Sequence, residues 1–462
     1  MKRRDFLKTA TGGVLAAGLG FQRVDLLADE APQTSPELRW YKGNLHCHSQ
    51  WSDGRDLPEV VVSEYKNHGY DFFSLTDHNI LHNDDLRFTG FYMNYTPRNI
   101  SSFEGETSFW KRLNSEPRGA LLLQEHVDVA KQMFGEDSVT IKETDEGTYV
   151  RMKPESELRK QFAEPGKFLL IPGFEMTAQW AHFNLINVEK DFFLDDPSVE
   201  NLVHASFDKA SEFYADSEKP FLFTVNHPLW QYYNIQPSFL FERPGIRFVE
   251  LTNNDTEWEY FPKAWDPEQL WDVVNAYRAK NEQPALLATG TDDSHGVFRK
   301  DYLPYHGWTR VRAASLDVDS ILAALRQGQS YVSTGCEFAD VSFDGKTLAV
   351  RIDPQVEGDY RIEFIGAKKD YDETVEYIEV PGEGWSRPAS KIECWSKEIG
   401  KVLESVDGLE ASYTLKPDDL FVRAKAFRIG AGYSFHGEAA KQHTLVSADC
   451  AWTQPYRRGE KL

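Results

Sequence analysis

The chain has 462 residues, 41% of them hydrophobic, and a formal net charge of −22. That length predicts two or three domains with enough apolar material for a large core. The acid surplus, with no local basic patch against it, excludes nucleic acid as a partner because a phosphate backbone would be repelled; its plain physical role is solubility.

The first residues read as a targeting segment outside the fold. Lys2-Arg3-Arg4-Asp5-Phe6-Leu7-Lys8 precedes a Gly/Ala-rich, mildly apolar stretch from Thr9 to Leu19. Paired arginines in this setting resemble a twin-arginine export signal, matching at both arginines, Phe6, Leu7 and Lys8 and departing at Lys2, where Ser or Thr is usual. Residues 1–30 are assigned to this signal and the start of a linker, with Ala28 as the expected cleavage point. The signal implies the twin-arginine export machinery as a partner and a periplasmic or otherwise extracytoplasmic destination. No later segment is apolar for long enough to span a membrane, so none is expected in the mature chain.

After a polar linker (Asp29 to Pro36), seven short apolar runs each carry a metal-binding or polar residue at one end. They are Asn44 to His48, Phe72 to His78, Phe168 to Glu175, Ala181 to Val188 with His182 at its start, Phe221 to His227, Arg247 to Asn253, and Ala285 to His295. Apolar strands with polar tips are expected of a parallel β/α barrel, whose strands fill the core while their ends form the open face. Leu57 to Tyr65 reads as a helix with proline in its first turn, returning the chain to the strand that ends at His78. The pattern loosens between Asn79 and Lys167, apart from a helix around Leu121 to Met133. That length is too great for a βα loop and predicts an insertion over the open face, about residues 80–167, acting as a lid or specificity element. Glu155 to Ala163, Val199 to Phe213, Gln269 to Lys280 and Ser320 to Gln327 read as further helices.

Beyond Gly335 the helical signal stops. Ala339 to Ile352, Tyr360 to Ile365, Val375 to Val380 and Leu420 to Ala426 alternate apolar and polar residues between turns. This predicts a small antiparallel, sandwich-like β domain over residues 336–462, after a barrel over 37–335. The four cysteines are Cys47, Cys336, Cys394 and Cys450, and their spacing forms no metal-type pair. Cys47 points away from its histidine neighbours on an extended strand. Cys394 and Cys450 could bridge or remain buried thiols.

Six of the thirteen histidines, His46, His48, His78, His182, His227 and His295, sit at the strand tips. His46 and His48 are two apart on a strand, so both imidazoles face the same way and can hold one cation. Ser52-Asp53-Gly54 brings a carboxylate to the same end. Pro172-Gly173-Phe174-Glu175 offers a glutamate able to bridge two metals. Asp292-Asp293-Ser294-His295 completes the set, with Asp293 facing the same way as His295. Asp77 and Asp292 are expected to orient the ligands beside them, Asp77 acting on the His78 imidazole. A lone histidine at a strand end is ordinarily just hydrogen-bonded, and His68, His126, His204, His306, His436 and His443 are read that way. His82 lies near the site but on the insertion and is left out. Nitrogen and carboxylate donors without thiolates suit zinc, iron or manganese.

Taken in order, His46-Cys47-His48, Ser52-Asp53-Gly54, Thr76-Asp77-His78-Asn79, Gly173-Phe174-Glu175, His182, Asn226-His227-Pro228 and Asp293-Ser294-His295 resemble the motifs of the polymerase and histidinol phosphatase (PHP) superfamily over roughly Arg39 to Gly335. The resemblance implies an α/β fold, a distorted seven-stranded β/α barrel holding two or three divalent metal ions (Zn, Mn or Fe). By that resemblance one metal takes His46, His48, Glu175 and Asp293. A second shares Glu175 and takes His182 and His227. A third takes Asp53, His78 and His295. Glu175, Asp293 and His295 are the residues implied in catalysis. The chain departs from compact members in its long insertion. Its β domain, ending in Ala451-Trp452-Thr453-Gln454-Pro455, resembles an exported subgroup that includes carboxylic-ester (carbaryl-type) hydrolases.

The leading expectation is therefore an exported metal-dependent phosphoesterase, in which a metal-bridging hydroxide attacks phosphorus. Arg55 and Arg299 follow two ligand motifs and could hold a phosphate, or be ordinary surface charge. The alternative is hydrolysis of a carboxylic ester, carbamate or amide in the same site, with the metals stabilising the oxyanion. Trp51, Trp180, Trp230, Tyr232, Tyr233, Trp258 and Tyr260 could floor a pocket for a sugar-like or aromatic substrate, or simply pack in the core. A third expectation is a metal-stabilised binding module without turnover, against which the full ligand set speaks.

Overall fold

A computed structural model describes residues 38–82, 100–101, 103, 108–114, 121–217, 219–228, 235–253, 266–298, 304–382, 390–430 and 449–460. The export-signal residues, Arg299, Trp230, Tyr232, Tyr233, Trp258, Tyr260, His436 and His443 lie outside these. Leu38–Leu462 forms one compact unit, a mixed α/β structure with a C-terminal antiparallel β region.

In chain order, β1 (Arg39–Asn44) leads to helix α1 (Pro58–Asn67) and β2 (Phe72–Phe73). The insertion folds as β3 (Ile100–Ser101), β4 (Phe109–Arg112), α2 (Gln124–Phe134), β5 (Ile141–Thr144) and β6 (Gly147–Met152). Then follow α3 (Glu155–Phe162), β7 (Leu169–Leu170), β8 (Gly173–Thr177), β9 (His182–Ile186), α4 (Val199–Phe213), β10 (Leu222–Val225), β11 (Phe248–Thr252), α5 (Pro267–Lys280) and β12 (Leu287–Gly290). After β13 (Trp308–Ala313), α6 (Val318–Arg326) and β14 (Ser330–Ser333), the chain turns to β15 (Glu337–Phe343), β16 (Thr347–Asp353), β17 (Tyr360–Lys368), β18 (Glu376–Val380), β19 (Ser390–Cys394), β20 (Lys401–Asp407), β21 (Glu410–Thr414), β22 (Asp419–Arg428) and β23 (Cys450–Thr453). Three of the six helices start where the sequence supplies caps. Ser198, Asp266 and Asp317 each accept a bond from a backbone N–H of the first turn of α4, α5 and α6, and Pro267 opens α5.

The site-bearing strands divide between two sheets. One runs β20-β17-β22-β23-β14-β13-β1-β2-β7, the other β12-β11-β10-β9-β8. Isolated parallel bridges, His78↔Glu175 and Cys47↔Ser294, join the sheets at their seams. The strands are not all parallel, as the apolar runs had suggested: β8–β9, β9–β10 and β1–β13 pair antiparallel. The reason for the first is the link between β8 and β9, residues 178–181, which is too short for a crossover and permits only a hairpin. The Phe168–Glu175 run is likewise two strands in different sheets, broken at Pro172, which has no N–H to give a ladder. Gly173 marks the crowding there, since a Cβ would lie 2.6 Å from Ser74 Oγ and 3.0 Å from Leu185 O.

Helix α5 is buried on nearly every face because it lies between β11 and the C-terminal β22. Arg423 of β22 grips Asp272 with two bonds of 2.7 Å, so the two regions are tied by a buried, bidentate ion pair. All four cysteines are free thiols. Among the described residues no helix is long and apolar enough to cross a membrane.

Candidate metal centre

The two seams place the ligands. His48 N donates to Ser294 O at 3.0 Å and Asp293 N to His46 O at 3.2 Å, which sets the two histidines of the first motif against the last one. Asn79 N donates to Glu175 O at 2.7 Å, which brings His78 beside Glu175. His227 and Asp293 hold φ values of +23° and +45°. Such backbone costs about 1–3 kcal/mol per residue and persists where surrounding structure enforces it, often at working sites.

All nine residues named as ligands from the sequence come together. Glu175 is at the centre. Its Oε1 lies 3.2 Å from His46 Nε2, 3.1 Å from His182 Nδ1 and 3.3 Å from His227 Nε2, and its Oε2 lies 2.5 Å from His78 Nδ1. Asp293 Oδ1 is 3.1 Å from His46 Nε2 and 2.8 Å from His48 Nε2. Asp53 Oδ1 is 3.3 Å from His295 Nε2 and 3.5 Å from His78 Nε2. Four overlapping groups result: His46, His48 and Asp293; His46, Glu175 and His227; His78, Glu175 and His182; and His48, Asp53, His78 and His295. The grouping differs from the one the resemblance implies, in that His46, His48 and His78 are each shared between two clusters. Asp53 and His295 alone of the nine reach solvent, with 17% and 13% of their side chains exposed, and they mark the mouth.

The donor set fits divalent cations. Four nitrogen or oxygen ligands at about 2.0–2.1 Å from one ion stand roughly 3.3 Å apart at the corners of a tetrahedron, and His46 Nε2 to His48 Nε2 is 3.3 Å. Two histidines are also held in the tautomer that frees Nε2. His46 Nδ1–H donates to Glu250 Oε1 at 2.7 Å, and His295 Nδ1–H to Asp293 O at 2.9 Å. Asp293 Oδ1 is buried, and it makes no hydrogen bond of good geometry despite its two close imidazoles.

The charges are strongly coupled. Burial alone would lift the Glu175 carboxyl, but His182, His46 and His78 pull it well below the usual range. Asp293 and Asp53 are depressed in the same way against burial, Asp293 by His46 and His48 and Asp53 by His295 and His78. Burial would lower His78, yet Asp53 and Glu175 raise it to about 10. His182 goes the other way, to about 4, because burial outweighs Glu175.

Glu250, in the middle of β11, was not foreseen. It accepts bonds from His46 Nδ1, from His227 N at 2.9 Å, from Asn253 Nδ2 at 2.8 Å and from Thr291 Oγ1 at 2.9 Å. Its one sequence signal is a lone acid within the apolar run Phe248-Val249-Glu250-Leu251.

Asp77 does not act on His78, as its position had suggested. Adjacent residues of an extended segment point to opposite sides, and Asp77 faces the 49–53 loop. It accepts from Ser49 N at 2.8 Å, Ser49 Oγ at 2.7 Å, Ser52 N at 3.0 Å, Ser52 Oγ at 2.5 Å and His82 Nε2 at 2.7 Å. Through Ser52 Oγ, 3.4 Å from His48 Nδ1, it reaches a different imidazole. His82, set aside in the sequence, is thus part of this support. Asp292 also turns away from the centre, toward Asn44, Tyr65 OH at 2.8 Å and Tyr305 N at 2.6 Å, and burial lifts its carboxyl to about 7.

Arg55 sits at the mouth, its N–H on His295 O at 2.7 Å. Trp51 and Trp180 are packed rather than lining a pocket: Trp51 Nε1 donates to Lys153 O at 3.0 Å, and Trp180 belongs to the core around β8 and β9. Gly54 is required by close approach, since a Cβ there would stand 2.4 Å from Ser49 N.

No family model and no curated protein matches this chain. Among solved structures it is similar to a two-domain protein containing a predicted PHP-like metal-dependent phosphoesterase from Bacteroides vulgatus ATCC 8482. The identity is 16%, over 83% of this chain and 98% of that one, with a TM-score of 0.38. The likeness is distant, and the chemistry of the site stands on its own donor atoms.

Proposed function

We propose that this chain is a metal-dependent hydrolase of phosphoesters. The observation that carries it is the convergence of six imidazoles and three carboxylates into four overlapping clusters, two of them sharing Glu175, most open to solvent at Asp53 and His295. Divalent cations held by these nine residues would supply Lewis acidity toward a phosphoryl oxygen and a water activated near neutral pH. The protein does the rest. Glu175 offers one oxygen to the His46, His182 and His227 side and the other to the His78 side, so it would contribute to more than one cation position. Glu250 and the Asp293 carbonyl hold His46 and His295 with Nε2 free. Arg55, whose backbone N–H bonds His295 O at the mouth, would offer its guanidinium to an anionic substrate. The reading includes the seven-stranded barrel of the PHP superfamily as a proposal, resting on the order of the ligand motifs in the sequence.

The test is metal analysis of purified protein, then turnover of an aryl phosphomonoester, a phosphodiester and a carboxylic ester before and after chelation. Chelator-sensitive hydrolysis of a phosphoester is expected, together with a lowered melting temperature of the metal-free protein. Turnover of the carboxylic ester alone would replace the substrate class, and absence of bound metal would overturn the whole reading. We also propose twin-arginine export to an extracytoplasmic compartment, on the strength of Arg3-Arg4 ahead of a weakly apolar stretch. Unchanged export after both arginines are replaced by lysine would refute it.

A further inference from the structure

The insertion is pinned to the loop that carries Asp53. In β4, side chains alternate between faces, so Phe109 and Lys111 point the same way. Phe109 meets Trp51 with ring centroids 5.8 Å apart. Lys111 is 1% exposed and drives its amine into the loop, donating to Gln50 O at 2.8 Å and to Ser52 O at 3.0 Å. Other ties surround it. Trp51 Nε1 reaches Lys153 O, Gln50 Nε2 lies 3.3 Å from His126 Nδ1, and Lys153 pairs with Glu59 at 3.1 Å. Ser52 is therefore clamped from two sides: Asp77 takes its N–H and hydroxyl, and Lys111 takes its carbonyl.

A fully buried lysine is a costly residue to keep for packing alone. Burial lowers its pKa to about 7 against the pull of Asp77 and Asp53, and both the neutral and the charged amine can donate to two carbonyls. The next residue after the clamped Ser52 carbonyl is Asp53, the one carboxylate at the mouth.

We propose that Lys111 is a positioning residue for the metal position formed by His48, Asp53, His78 and His295, acting through its two bonds from β4 to the 50–52 segment. The inference rests on the proposed metal-dependent function but not on its substrate class. Without the two bonds, the 50–53 segment loses its hold on the insertion side, and Asp53 is no longer held against His78 and His295. The ligands grouped around Glu175 sit on the strands and the seams and are not touched by Lys111.

The test is metal titration of the full chain with Zn²⁺ or Mn²⁺, resolving the binding equivalents. Asp53→Asn identifies the equivalent that depends on this position. Lys111→Met keeps the apolar stem and removes the donors. It is expected to weaken that same equivalent by about 10–100-fold, the usual scale for a residue that orients a ligand, and to leave the others as they are. Lys111→Gln keeps two N–H donors on a shorter stem and should recover part of the loss. If Lys111→Met does not fold, Lys111→Gln serves as the reporter, with an intermediate weakening of that one equivalent expected. Binding unchanged in a folded variant, or weakened uniformly across all equivalents, overturns the proposal. Failure of the wild-type protein to hydrolyse phosphoesters would remove the substrate assignment and leave this result standing. A wild-type protein with no Asp53-dependent equivalent would remove this one.

Discussion

Glu250→Gln keeps the size of a side chain and changes what it can accept. The carboxylate takes four bonds, from His46 Nδ1 and Thr291 Oγ1 on one oxygen and from His227 N and Asn253 Nδ2 on the other. Glutamine turns one oxygen into a donor. Thr291 can rotate its hydroxyl and Asn253 can flip its amide, but the backbone N–H of His227 cannot adapt. The amide nitrogen is therefore expected to face His46. His46 must then present a bare Nδ1, and its proton moves to Nε2, the atom that faces Glu175 and Asp293. A bond to a charged group is worth about 1.5–3 kcal/mol, so losing one and weakening a second destabilises the metal-free protein by about 2–4 kcal/mol. Protonation at Nε2 should cut metal affinity at the His46 position by about 10–100-fold. Urea melts of the metal-free protein and competition with a chromophoric chelator measure both. A variant that melts with the wild type and binds its tightest metal equally well would refute the orienting role of Glu250.

Three further outcomes are expected. Glu175→Gln should leave a folded protein that has lost metal from at least one position and shows no measurable turnover; wild-type metal content with normal turnover would refute the central place of Glu175. Asp77→Asn should loosen the 49–53 loop and lower activity about 10–100-fold, with excess metal restoring part of it; equal loss in the two variants, unrescued, would argue against the difference in their roles. The third concerns pH. His78 is raised from 6.5 to about 10, so in the metal-free protein its contribution is complete below about 6.5 and is lost as pH rises through about 10. Lys111, lowered to about 7, works in the opposite direction over the upper part of that range. The comparison is therefore with His78→Gln, whose metal-free melts should fall less between pH 6.5 and 10 than those of wild type; a steeper fall would refute the assignment. Metal affinity at the His78 position should rise across the same interval, because each cation there must displace a proton.

Much of the site was legible because its information is local. His46 and His48 share a face through the two-residue period of an extended segment; Asp293 and His295 also both reach the site, but past the end of β12, with Asp293 at φ +45° rather than extended. Glu175 stood out as an acid at the end of an apolar run. Glu250 is an acid in an equally apolar run, but its meaning depends on His46 lying across the sheets, which no spacing within the run reveals. Asp77 was misplaced because nearness in sequence was taken for contact, although strand alternation turns it away from His78 and toward Ser49, Ser52 and His82. Helices α1 to α6 could be read within a few residues, since caps and periodicity are local signals. Strand direction was not local. The four residues between β8 and β9 decide that those strands form a hairpin, and the parallel reading treated them as a crossover. Lys111 lay in a region with no apolar period, where nothing marks a buried charge.

Strand β23 pairs antiparallel with β14 on one side and β22 on the other, and Gln454 beside it bonds both the N–H and the carbonyl of Ala288 in β12 at 2.8 Å. The segment that completes the ligand-bearing sheet thus leaves the ribosome long after β14. Until it arrives, β14 presents an open edge of unpaired N–H and C=O groups, able to capture a strand from another chain. Vectorial synthesis therefore cannot finish the region carrying the histidine and carboxylate cluster first and append the β region afterwards; a nascent chain halted before Cys450 would be a candidate for chaperone capture or aggregation, whatever the state of the nine residues of that cluster.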